Sequence, residues 1–317
     1  MRALTLIVAS LTLTSFTAPL AAQAAEPAGS PPIIVTPVSD ADALRLAPNT
    51  ARTRTDGESD SVYDVFLEDP ALELDAADLR PSDRYLMLTG TGVREKFWIN
   101  VYTVGLYLDP LMAHHQLAKY RGSDGKSLSK NKQLFTDLAA DRVPKLLRLV
   151  MNRDVDTEDM REAFEDSLSP RIKKAARTDA ERTRGLQGLA KFQEIFTSRT
   201  TKTGAVTSTL NFEELKENTV LIFDMRPGGT LHVAISSTSK RSASTTTSVT
   251  LNETIESPLL CAALIDVYLG KDPVSDDAKT AIAKGLPDVL ARGAELSEAG
   301  YVWPRPAPQP ESESDED

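Results

Sequence analysis

From Phe97 to Leu108 the chain reads FWINVYTVGLYL, where nearly every position is apolar, aromatic or β-branched. The pattern predicts a β-strand with both parities apolar. Phe97, Ile99, Val101 and Tyr107 fall on one side, and Trp98, Tyr102, Val104, Leu106 and Leu108 on the other. A strand greasy on both faces is covered on both, so it belongs inside a sheet and not at its edge. Tyr85 to Val93 supplies its hairpin partner, with the reversal around Arg94, Glu95 and Lys96. That reversal matters for chemistry. Along straight strand Arg94 and Tyr102 would stand roughly 26 Å apart, whereas a hairpin folds them back within reach of each other.

Further on, Pro110 to Tyr120 is amphipathic and a polar stretch follows to Gln133. Lys145 to Val155 (KLLRLVMNRDV) predicts a second core strand. Asp156 or Thr157 is a natural N-cap for a helix carrying Met160, Ala163, Phe164 and Leu168 on one face. A longer helix over about 179–198 places Leu186, Leu189, Phe192 and Phe196 along one side. Each of these two helices has one greasy and one charged face, so each lies on the outside of a sheet. Pro227-Gly228-Gly229, between apolar runs at 218–226 and 230–236, signals another hairpin. The Ser/Thr-rich run from Ser236 to Glu256 predicts an exposed loop. Ser257, Pro258 and Gly270 bracket a helix from Leu259 to Leu269, which is apolar nearly all round except at Asp266 and therefore the most buried. Another helix starts over Asp276 to Lys284, and Pro287 restarts a last one ending before Gly300.

The remaining segments set the domain limits. Residues 1–24 carry Arg2, an apolar run from Ala3 to Leu20 and then Ala22-Gln23-Ala24, the pattern of a cleavable signal peptide. Pro19 and several hydroxyls interrupt a run already short for a bilayer, so export to the periplasm or medium is expected, with no integral membrane segment after cleavage. Residues 25–83 are rich in Pro, Asp, Ala, Ser and Thr and read as a mostly disordered linker contributing one early strand. The folded domain then spans 84–300, and 301–317 is a Pro-rich, acidic tail.

Charge and residue counts narrow the function classes. The net charge is −10, but five acids crowd the last seven residues, so the body is only mildly acidic and nothing favours a nucleic-acid partner. His114, His115 and His232 make no metal-binding cluster, and no cofactor motif is present. Cys261 is the one cysteine; it falls in the buried helix and is no nucleophile. Gly90-Thr91-Gly92 leads into a strand, not a helix N-terminus, so it is no phosphate loop. The acidic pairs at 158–159, 165–166 and 276–277 lie at helix ends or on polar faces, where they serve solvation and the helix dipole. Arg94 with Tyr102 is the pair that carries chemistry: a guanidinium holds a carboxylate or enolate with two parallel hydrogen bonds, and a phenol adds a third. The competing reading has Arg94 capping the turn with Glu95 while Tyr102 fills the core.

GTGVR (Gly90 to Arg94), VGLYLD (Val104 to Asp109) and VYLGKDPVSDDAK (Val267 to Lys279), in this order, resemble the chalcone isomerase family and in particular its bacterial exported branch. The resemblance covers roughly residues 85–292. It implies an α+β fold: a curved, mainly antiparallel sheet with helices packed on one face and a ligand cleft between the two layers. It matches Arg94 to the family's anion-binding arginine. It also places Tyr102 where catalytic members have Thr, Asp159 and Asp166 where they have Tyr and Asn, and Val267 at a hydroxyl position. An acid in place of a phenol donor repels the developing anion and a valine offers no hydrogen bond, so no catalytic residue is assigned.

Tyr102 beside Arg94 is instead similar to the non-catalytic branch, whose plastid members bind fatty acids through an arginine and a tyrosine. The leading expectation is therefore an exported, non-catalytic binder of a hydrophobic carboxylate such as a fatty acid, with Arg94 and Tyr102 on its head group. Two alternatives stay open: an isomerase or intramolecular lyase acting on an enone through an altered site, and a structural or protein-interaction role.

Overall fold

The computed structural model describes residues 52–68, 85–140, 142–197, 199–203, 206–210, 213–237 and 248–300. The expected signal peptide, most of the linker and the acidic tail lie outside the described residues. In chain order the elements are β1 (Thr53–Thr55), β2 (Val62–Asp64), β3 (Phe66–Glu68), β4 (Tyr85–Lys96), β5 (Ile99–Leu108), α1 (Pro110–Gln116), α2 (Gly125–Ser129), α3 (Lys132–Ala139), β6 (Lys145–Met151) and β7 (Val155–Asp156). Then follow α4 (Thr157–Ala175), α5 (Asp179–Glu194), β8 (Arg199–Thr203), β9 (Val206–Leu210), β10 (Glu214–Leu215), β11 (Thr219–Arg226), β12 (Thr230–Ser237), β13 (Ser248–Glu256), α6 (Pro258–Leu269) and α7 (Asp276–Glu298).

Seven strands form one curled antiparallel sheet in the order β13-β12-β11-β6-β5-β4-β3, so β5 sits between two long partners. Side-chain alternation divides β5 between two cores. Tyr102, Val104, Leu106 and Leu108 join the large core beneath the helices, while Tyr107 joins a smaller one with Tyr63, Leu86, Leu88, Leu146 and Ile222 on the opposite face. The second face is closed by β2. The Tyr63 hydroxyl donates to the Thr103 carbonyl at 2.7 Å, and the Tyr107 hydroxyl to the Asp64 carbonyl at 2.7 Å.

Several expectations change. The β4–β5 reversal is at Phe97 and Trp98, both with positive φ, and not at Arg94–Lys96, which still belong to β4. Phe97 and Trp98 are 78% and 92% exposed, although their composition predicted buried strand. Residues 248–256 are not loop but the edge strand β13, paired along β12. Residues 53–68 carry three short strands, of which β3 extends the main sheet. The polar stretch before Gln133 holds α2, capped by Asp124, and α3 begins at Lys132. Pro287 does not restart a helix: α7 runs through it without a break. A proline there loses one backbone bond, and the burial of Ile282, Leu286, Val289 and Leu290 outweighs that loss.

The glycines of β4 set how closely α7 lies on the sheet. A methyl at Gly90 would stand 2.5 Å from the Ala281 carbonyl, one at Gly92 2.5 Å from the Ala278 backbone, and one at Gly285 1.6 Å from the Thr89 carbonyl oxygen. The helix and strand backbones therefore touch, with no side chain between them. Gly90→Ala should lower stability by about 1–3 kcal/mol in urea unfolding, because backbone and not a flexible side chain would have to move. Gly57→Ala, which meets nothing within 4 Å, should stay within about 0.5 kcal/mol; equal effects at both positions would show that close helix–strand contact is not the constraint.

Candidate functional site

A cleft of about 450 Å³ opens beside the β4–β5 hairpin, at the end of the sheet where α4 begins. Arg94 and Tyr102 both line it. They are directly opposite in the β4–β5 register, and cross-strand neighbours have Cβ atoms about 4.5–5.5 Å apart. Arg94 has the parity of Gly90 and Gly92, so it points to the helical side of the sheet. Its Nη1 donates to the Val274 carbonyl at 3.2 Å, just before the Ser275 cap of α7. Among the described residues that carbonyl is its one hydrogen-bond partner. A guanidinium has five N–H donors, so the fork keeps donors for a bound anion.

Tyr102 is buried, and its hydroxyl lies 3.0 Å from that of Tyr268 on α6. Burial pushes the Tyr102 phenol above its ordinary pKa, while the bond from Tyr268 and the charge of Arg94 pull the other way. Tyr268 is held well above, first by burial and then by Tyr102. Both are thus neutral phenols at physiological pH. When Tyr268 donates to Tyr102, the Tyr102 proton is left for a ligand in the cleft.

One wall is a stripe of α4, Met160, Ala163, Phe164 and Ser167, spaced i, i+3, i+4 and i+7, and Val101, Val155, Val267 and Val274 add apolar lining beside it. Phe164 is wedged among Phe192, Phe196 and Phe223, with ring centroids 5.0 to 5.9 Å away. Asp159 lines the cleft, as does Val267 of α6. Asp166 does not; it is exposed, one position off the stripe, and Ser167 takes the inward place. Tyr268 and Ser167 were not singled out in the sequence. A tyrosine in a helix otherwise apolar except at Asp266 was the available signal for the first, since a buried phenol seeks a partner.

The rim is of mixed charge. Arg94, Lys96 and Arg153 face Asp154, Asp156, Asp159 and Glu214. Lys216 takes up two of these acids, bonding Asp154 at 3.2 Å and Glu214. Among the described residues no group of three His, Cys, Asp or Glu side chains could hold a metal ion. Cys261 is buried in α6.

Comparison with known proteins settles the family, because the model for chalcone-flavanone isomerase matches residues 75–289, about two thirds of the sequence. The chain belongs to the chalcone-flavanone isomerase family. A chalcone–flavanone isomerase of Raphanus sativus is 23% identical over 232 residues, covering 70% of this chain and 84% of that protein. Fatty-acid-binding protein 1 of Arabidopsis thaliana is 24% identical over 199 residues, 61% of each chain. The crystal structure of an Arabidopsis thaliana fatty-acid binding protein superposes with a TM-score of 0.53 at 20% identity, over 75% of this chain and 99% of that one. At that identity the superposition establishes the chalcone isomerase-like architecture, the curled sheet with helices.

In this family member the buried phenols make an alkaline prediction. Folding raises the pKa of Tyr63, Tyr102, Tyr107 and Tyr268 above 10.0. Unfolded phenols lose their protons above that pH while the folded ones keep them. Their contribution is complete below pH 10 and is lost as pH rises through it, by up to about 1.4 kcal/mol per pH unit for each tyrosine. The urea midpoint should be flat between about pH 7 and pH 9 and fall beyond about pH 10, less steeply in Tyr268→Phe. An unchanged slope in that variant would count against a buried Tyr102–Tyr268 pair.

Proposed function

We infer that the cleft binds a hydrophobic carboxylate such as a fatty acid, without catalysis. The observation that carries this reading is the convergence of the Arg94 fork and the neutral Tyr102 phenol at one end of a cleft whose wall is Met160, Ala163 and Phe164. The carboxylate accepts from Arg94 and from Tyr102, and the alkyl chain lies along the α4 stripe. A volume of about 450 Å³ is within the ordinary range for a small-ligand site. The relative and the solved structure that carry fatty-acid binding in their names support the same ligand class.

The lining itself favours binding over turnover. Isomerisation of an enone develops negative charge on oxygen, and catalysis needs donors that strengthen as that charge grows. Asp159 contributes a carboxylate and Val267 only methyl groups. The same reading takes the chain as a member of the exported bacterial branch, supported by the Ala3–Leu20 run and the Ala22-Gln23-Ala24 site; the mass of the mature protein from a secreting host tests this.

Arg94→Met should weaken binding of a long-chain fatty acid by about 10- to 100-fold, the loss of a charge-assisted hydrogen bond of about 1.5–3 kcal/mol, with the thermal transition nearly unchanged. Calorimetry and mass spectrometry of co-purified lipid are the measurements. Equal affinity in Arg94→Met would sink the assignment. Turnover of a chalcone by the wild type that collapses in the variant would move the reading to an isomerase.

A further inference from the structure

Phe97 and Trp98 form the outermost point of the β4–β5 hairpin, with φ values of 53° and 62°. Two left-handed residues in a two-residue turn are what Asn-Gly provides at little cost. For bulky side chains the left-handed region costs roughly 1–2 kcal/mol per residue. Phe97 is also 78% exposed, Trp98 92% and Ile99 47%. Both the backbone conformation and the solvation of these rings thus oppose stability. Local cost held at an exposed tip points to a use outside the fold.

The occupant follows from shape, area and position. Each aromatic ring buries about 150–250 Å², so two rings and an isoleucine fall short of the roughly 800 Å² per partner of a stable protein interface. A bilayer requires no complementary surface, and Trp is the side chain most at home in its interfacial region. Lys96 closes the turn opposite Ile99, and Arg153 stands on the rim at the same end, where both can meet lipid phosphate while their stems stay in the apolar layer. Phe97, Ile99 and Lys96 also line the cleft. Seating the tip in a membrane turns the cleft mouth toward the lipid.

We propose that the Phe97–Trp98 hairpin tip is a membrane-docking element that inserts its two rings into the interfacial layer of a phospholipid surface. The docking stands on the tip alone and not on what the cleft holds. Trp98 reports on it directly. The sequence has two tryptophans, so the full chain with Trp303→Phe leaves Trp98 as the single emitter. Added to phosphatidylcholine vesicles containing a minority of phosphatidylglycerol, it should shift its emission to the blue, become quenched by lipids brominated near the headgroup, and co-sediment with the vesicles. In the full chain, Phe97→Asn with Trp98→Gly should fold at least as stably, because it supplies a relaxed turn, yet partition onto the same vesicles at least about tenfold more weakly. Unchanged emission with vesicles present, or equal partitioning of the double variant, overturns the proposal. So does a wild-type chain that self-associates without lipid and becomes monomeric in the double variant, since the tip would then meet a second copy.

Discussion

The contact between α7 and β4 is the constraint from which the rest of the structure follows. The two elements run antiparallel along their whole shared length. Arg292 donates to the Tyr85 hydroxyl at 2.6 Å, Gly285 lies against the Thr89 carbonyl, Gly90 against Ala281 and Gly92 against Ala278. Arg94 closes the series on Val274. Because glycines stand where the backbones meet, the separation is set by main chain alone and is insensitive to rotamers. Interiors are close-packed, so such a contact admits one position of the helix.

The cleft inherits its geometry from that contact. Arg94 is two residues beyond Gly92 on the same face of β4, so its direction is settled by the strand that holds the helix. Register with β5 then places Tyr102 opposite it, and α6 brings Tyr268 to the phenol from the other side. The α4 stripe completes the wall, locked behind by the Phe192, Phe196 and Phe223 rings. A cationic head and a greasy wall therefore come from four elements that each have an independent reason to be where they are.

The hairpin tip is the opposite case, a place where local preference and fold disagree. Phe97 and Trp98 continue the apolar run of β5 in sequence, yet they end in water with left-handed backbones. Pattern alone assigned them to buried strand, because apolar composition does not distinguish a strand interior from a turn built of the same residues. The position of the reversal decides the Arg94–Tyr102 pairing, since a hairpin turning about Glu95 would set Tyr102 opposite Leu88. A tight turn at Phe97–Trp98 puts Arg94 and Tyr102 opposite each other, with a bulge after Arg94 taking up the odd residue.

What could be read directly was whatever depends on local periodicity and capping. The doubly apolar β5, the stripe of α4, the Pro227–Gly229 turn and the Ser257-to-Gly270 limits of α6 all rest on neighbours within a few residues. That one hairpin carries both Arg94 and Tyr102 was also legible, but their register was not, because it depends on where the chain reverses. What depended on contacts far apart in sequence was not. The seat that Gly90 and Gly92 make for α7 had no local signal, because no nearby pattern announces a helix nearly two hundred residues later. The edge strand at 248–256 read as loop because its order comes from β12. Pro287 read as a helix break because only the sheet beneath α7 compensates the missing bond. The inward turn of Ser167, and Tyr268 as partner of Tyr102, were likewise decided by packing. Short-range geometry settles which elements form, and only the burial of one against another settles which of their residues meet.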